Sequence, residues 1–281
     1  MGTRLSLGSI TLNVEQKGDG QPVVVFLHGI TANRRVWDPI IERLSPRFTC
    51  VSVDQRGHGL SDKPDSGYSD LDYSNDIQLL AERLSPTAGI FVVGHSLGAR
   101  NSIVAASRFP LSVRGIVAID FVPFIEDSVF DLLEKRVLEG HRSFAGLAEL
   151  KDYLCGRYVH LPKDAIERRA EHGYDKNEAG EYVPLAAAGA MAETVVGLRE
   201  DLEPYLSNLE IPAVIVRGEL STLVSPEAFS RASSLNAKVD AVVIPGADHY
   251  VPEEAPREVA ELIENFVGNS APQTDRILER N

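Results

Sequence analysis

Apolar residues along this chain gather in short runs separated by stretches of helical periodicity. Val23-Val24-Val25-Phe26-Leu27, Phe48 to Val53, Ile90 to Val93, Val113 to Ile119, Ala213 to Val216 and Ala241 to Ile244 are strand-length and largely apolar at consecutive positions. A strand with one wet face alternates apolar and polar residues. Runs without alternation therefore predict strands buried on both faces, as in a parallel sheet covered by helices. Leu5 to Glu15 does alternate, around Gly8-Ser9, and reads as an antiparallel hairpin that opens the sheet. The pattern predicts an α/β fold: a mostly parallel eight-stranded sheet flanked by helices.

Between Phe121 and about Tyr205 the alternation of strand and helix stops. Val129 to Leu138, Leu147 to Tyr153, Lys163 to Glu171 and Ala186 to Leu198 follow one another with helical spacing. The expected organisation is a core formed by 1–120 and 206–281, with 121–205 inserted after the sixth strand as a helical cap. The small residues of Ala186 to Ala192 predict that a cap helix packs close to the core. A final helix is expected from Glu253 to Val267, followed by a polar, frayed tail from Gly268 to Asn281.

Composition narrows the partners. The chain has 281 residues, 43% of them hydrophobic, and a net charge of −13, which opposes binding to nucleic acid or anionic membranes. No apolar run approaches the ~20 residues of a membrane span, and the start of the chain lacks the pattern of an export signal. The two cysteines, Cys50 and Cys155, stand far apart, which predicts free thiols and a reducing, cytoplasmic setting. His141, His160 and His172 lack paired ligand spacing, so neither a metal nor a cofactor is expected. A homodimer is compatible with the pattern.

The chemistry centres on Gly94-His95-Ser96-Leu97-Gly98, between the run Ile90 to Val93 and a helical stretch. Strand, sharp turn and helix in that order describe a nucleophile elbow, with Ser96 exposed at the turn and the Leu97 N–H available to a developing oxyanion. A serine hydroxyl needs a base to accept its proton and an acid to orient that base. Of the seven histidines, His249 follows a predicted strand near the C-terminus, where the chain order serine, acid, histidine places the base. Asp120, directly after Ile119, ends the sixth strand and is the candidate acid, with Asp248 and Glu219 as alternatives. His28-Gly29-Ile30 follows the third strand and offers the Ile30 N–H as a second oxyanion donor. His95 and His58 are read as braces within the elbow and the loop after the fourth strand.

At these residues the chain resembles the α/β-hydrolase superfamily from Val23 to Val267. In most members an aspartate follows the strand at Ala213 to Val216, whereas Ser221 occupies that slot here, so the acid one strand earlier marks a minority branch. His28 to Thr31, Asp54 to Pro64, Gly94 to Ser102, Val117 to Phe121, Arg217 to Val224 and Pro245 to Val251 resemble a narrower family, the (E)-2-(acetamidomethylene)succinate hydrolases of pyridoxine degradation. That resemblance implies a small anionic carbonyl substrate, a dicarboxylate whose acetamido group is cleaved. It carries binding roles onto Arg136, Arg157, Tyr158 and Tyr250, while Arg142, Arg168, Arg169 and Arg199 are left as surface or structural residues. Rival readings are a carboxylesterase or lactonase with the same serine, histidine and acid, and a binding protein that turns over slowly.

Overall fold

The computed structural model describes residues 2–270. Its strands are β1 (Thr3–Ser6), β2 (Thr11–Lys17), β3 (Val23–Leu27), β4 (Thr49–Asp54), β5 (Ile90–His95), β6 (Val113–Ile119), β7 (Tyr174–Lys176), β8 (Tyr182–Pro184), β9 (Ala213–Gly218) and β10 (Val239–Ile244). Eight of them form one sheet in the order β1-β2-β4-β3-β5-β6-β9-β10. The hairpin pairs antiparallel, β2 lies antiparallel to β4, and every later pair is parallel. The helices are α1 (Asp38–Leu44), α2 (Asp70–Leu84), α3 (Leu97–Arg108), α4 (Asp127–Gly140), α5 (Leu147–Arg157), α6 (Lys163–His172), α7 (Ala188–Gly197), α8 (Glu203–Ser207), α9 (Pro226–Ser233), α10 (Val251–Glu254) and α11 (Pro256–Ser270).

The runs without alternation on β3, β4, β5, β6 and β9 are buried on both faces except at Arg114, whereas β10 lies at the sheet's edge with Ala241 and Val243 exposed, so its apolar run does not mark a doubly covered strand. On β3, Val23, Val25 and Leu27 pack into an apolar layer with α2, α3 and α9, while Val24 and Phe26 face the opposite layer with α1 and α11. A third, smaller cluster built on Phe144, Leu150, Leu154, Tyr158, Ile166 and Ala170 gathers α5 and α6. The helices expected between β6 and β9 are present, and the ribbon of β7 and β8 and the short α8 add to them. Ala186 to Ala192 does pack closely: the Ala187 N–H donates to the Gly57 carbonyl (2.9 Å), and Ala190 lies against Gly57.

The single final helix that was expected is two, because Pro256 begins α11 and its ring disfavours a helical residue before it. The expectation of a polar tail concerns, beyond Ser270, residues outside those described. Among the described residues no helix is long and apolar enough to cross a membrane.

Candidate active site

Ser96 occupies the turn between β5 and α3 at φ 53° and ψ −114°. A non-glycine residue in that region costs on the order of 1–3 kcal/mol and persists only where its surroundings impose it. Here the Ser96 N–H donates to the Ile119 carbonyl at the end of β6 (2.8 Å), and its carbonyl accepts from Arg100 in the first turn of α3 (3.0 Å). A Cβ on Gly94 would overlap the Gly98 carbonyl, and one on Gly98 would overlap the Leu27 carbonyl of β3. Both glycines are thus required by the close approach of α3 to the sheet. Leu97 opens α3, so its N–H is one of the amides a helix start leaves without an intrahelical acceptor.

Asp120 follows β6 directly, is fully buried, and is likewise held at positive φ, 53°. Its Oδ1 accepts the Gly218 N–H (3.0 Å), and its Oδ2 accepts both the Ser221 hydroxyl (2.6 Å) and His249 Nδ1 (2.8 Å). Because the carboxylate only accepts, the imidazole carries its proton on Nδ1 and keeps Nε2 as an acceptor. The alternative acids do not hold the imidazole. Glu219 accepts the Gly246 N–H (2.7 Å), while the Asp248 carboxylate makes no hydrogen bond to His249 and its buried Oδ1 has no partner among the described residues. No hydrogen bond joins Ser96 Oγ to His249 among the described residues, and such contacts commonly tighten only around substrate.

Ser96 and His249 open into one cavity of about 360 Å³, lined as well by Ile30, Arg136, Arg157, Tyr158 and Tyr250. Ile30 precedes Thr31, whose φ of 62° turns the loop after β3 toward the cavity. That loop is anchored from beneath. The Gln55 N–H donates to His28 Nε2 (3.0 Å), leaving His28 Nδ1 to donate to the Gly29 carbonyl (2.8 Å). His58 Nδ1 contacts the Arg56 carbonyl (2.9 Å), and His95 Nε2 donates to the His249 carbonyl (2.8 Å), so both brace loops as expected. Burial chiefly lowers the basicity of all three rings, taking His28 to about 4 and His58 to about 3.

The charge of the cavity wall is unbalanced. Arg136 donates to the Arg157 carbonyl (3.2 Å), and Arg157 donates to the hydroxyls of Tyr153 (3.0 Å) and Tyr158 (3.3 Å). Neither guanidinium forms an ion pair among the described residues. Burial would raise the Tyr158 phenol, but Arg169 and Arg157 outweigh it and hold it below its ordinary value.

Arg169 is the residue that sequence reasoning undervalued. It is buried in an ion pair with Glu253 of α10, lies 4.4 Å from the Tyr158 ring centre and 5.0 Å from that of Tyr250, and lines the cavity. An arginine at an ordinary helical position gives no local signal of this, and its partner Glu253 stands 84 positions later. Among the described residues no group of three or more histidine, cysteine or acidic side chains is arranged to hold a metal ion.

Residues 24–262 match the model of an α/β hydrolase family. The chain is 50% identical to 2-(acetamidomethylene)succinate hydrolase of Mesorhizobium japonicum over 264 residues, 94% of each chain. It superimposes on the crystal structure of E-2-(acetamidomethylene)succinate hydrolase with a TM-score of 0.92 at 48% identity, covering 95% of this chain and 99% of that one. An esterase of Mycobacterium tuberculosis is 26% identical over 88% of this chain and 83% of its own. Sheet order, elbow and family match agree, and the chain belongs to the α/β hydrolase family.

Proposed function

We propose that this hydrolase cleaves the amide of (E)-2-(acetamidomethylene)succinate, with two waters consumed overall and acetate, ammonia, carbon dioxide and succinic semialdehyde released. The observation that carries this reading is the pair of half-buried guanidiniums, Arg136 and Arg157, which face the cavity of Ser96 with no carboxylate of their own. In a protein of net charge −13, two uncompensated cations beside a nucleophile suit a substrate with two carboxylates, each gripped through paired N–H donors. The 50% identity to the Mesorhizobium enzyme supports the same substrate.

In this mechanism His249 takes the Ser96 proton as Oγ attacks the acetamido carbonyl, and Asp120 stabilises the imidazolium that forms. The N–H groups of Ile30 and Leu97 hold the oxyanion. Collapse breaks the C–N bond, with His249 returning the proton to the departing nitrogen, whose lone pair is conjugated with the substrate carboxylate. The acetyl group stays on Ser96 until water, deprotonated by His249, releases acetate. The freed enamine hydrolyses to ammonia and an aldehyde and loses carbon dioxide in solution. The segment 121–205 acts as a cap that brings Arg136, Arg157 and Tyr158 over Ser96, with Tyr250 completing the pocket from the core.

The test is turnover of purified protein on the acetamido dicarboxylate beside a panel of neutral amides, esters and lactones. The expected result is stoichiometric acetate and ammonia, with the dicarboxylate preferred in kcat/KM. Faster release from neutral esters, or tight dicarboxylate binding without acetate, would overturn the assignment. Rapid-quench mass spectrometry is expected to trap an acetyl adduct on Ser96.

A further inference from the structure

The carboxylate of Asp120 is held by more than the imidazole it faces. Ser221 Oγ accepts the N–H groups of Leu223 (3.3 Å) and Val224 (3.2 Å), so its single proton is committed to Asp120 Oδ2 at 2.6 Å. That is the same oxygen that accepts His249 Nδ1. The loop that presents Ser221 is itself pinned by Arg217, whose guanidinium donates to the carbonyls of Val224 (2.7 Å), Glu219 (3.0 Å) and Ser221 (3.0 Å). Ser221 and Asp120 are both buried, so these bonds form away from water, where a charge-assisted hydrogen bond is strong.

We infer that Ser221 is a positioning residue for the reaction: its hydroxyl, fixed by the Arg217 loop, orients the Asp120 carboxylate toward His249 and moderates how strongly that carboxylate holds the imidazole's proton. Two donors on one oxygen share its electron density. The Ser221 bond therefore weakens the grip of Oδ2 on His249 and keeps the imidazole free to accept from Ser96 at lower pH. With the hydroxyl removed, Asp120 retains the proton on His249 more firmly and the base is lost to protonation at a higher pH. The position that could have carried an acid thus serves the acid one strand away. This inference rests on the reading of Asp120 as the orienting acid.

The experiment is the pH profile of kcat/KM for acetate release by Ser221→Ala, Ser221→Cys and Ser221→Thr, each with its melting temperature. In Ser221→Ala the acid limb is expected to move to higher pH, with activity near neutrality falling about tenfold and recovering toward alkaline pH. Ser221→Thr keeps the O–H and retains the original limb, and Ser221→Cys, a weaker donor, falls between. The other charged or titratable groups around the imidazole are His95, Asp248 and Tyr250 beside it and Arg136, Arg157, Tyr158, Arg169 and His160 across the cavity. They are common to all variants, so a moved limb reports the Ser221 bond.

A folded Ser221→Ala whose limb superimposes on the parent overturns the inference. If Ser221→Ala does not fold, the Cys variant decides by the same criterion. Asp120→Asn separates the two readings: retained activity there removes Asp120 from the mechanism, whereas an inactive Asp120→Asn with an unmoved Ser221→Ala limb removes Ser221 alone.

Discussion

Ser96, Asp120 and His249 are each legible from their place at a strand's end, because an elbow, a strand-terminal acid and a late histidine have local signatures. Asp120→Asn is expected to lower kcat by three to four orders of magnitude, since the amide cannot orient and charge-balance the imidazolium, and steady-state assay of acetate release measures this. Arg157 is a different case, because in the sequence it is one helical arginine among several. In the structure it lines the cavity of Ser96 without an ion-pair partner among the described residues. Arg157→Ala should raise KM for the dicarboxylate about 10- to 100-fold, the worth of losing charged hydrogen bonds, while a neutral ester loses far less. Equal loss on both substrates would assign Arg157 to cap packing instead.

Among elements, those with strong patterns were foreseen and those set by tertiary neighbours were not. The eight sheet strands were readable from two patterns: the alternation of the β1–β2 hairpin, and the apolar runs of the others, which burial on both faces forces in β3, β4, β5, β6 and β9. The ribbon of β7 and β8 was missed because each strand has only three residues, too few to show alternation, and Tyr182 is held in addition by a bridge to Phe144 outside the ribbon. The tie between α6 and α10 was likewise invisible. Arg169 and Glu253 lie 84 positions apart, and nothing local couples them. Arg169→Ala strands the Glu253 carboxylate in the interior, and breaking a buried pair from one side typically costs about 3–5 kcal/mol. The expected lowering of the denaturation midpoint should be partly recovered when Glu253→Gln is added, and absence of any recovery would argue against the pair as the cause.

For the whole molecule, the buried histidines set a dependence of stability on pH. Burial depresses His28 to about 4 and His58 to about 3, so the unfolded chain, with ordinary imidazoles, binds more protons as soon as the pH falls below about 6.5. By linkage, stability is retained above that pH and lost progressively toward about 3, beyond which these two groups add nothing further. Urea midpoints should therefore decline from pH 7 to pH 4, and the decline should be shallower in His58→Gln; parallel slopes would exclude His58 as a contributor. The sequence by itself determined the sheet, the run of helices between β6 and β9 and the elbow, because apolar strands, helical faces and a sharp turn each impose local constraints on residue type. Only the tertiary structure decided which carboxylate meets His249, that Ser221 shares its oxygen, and which arginines are left uncompensated. Charge pairing depends on distances across the fold, and chain order does not encode those distances.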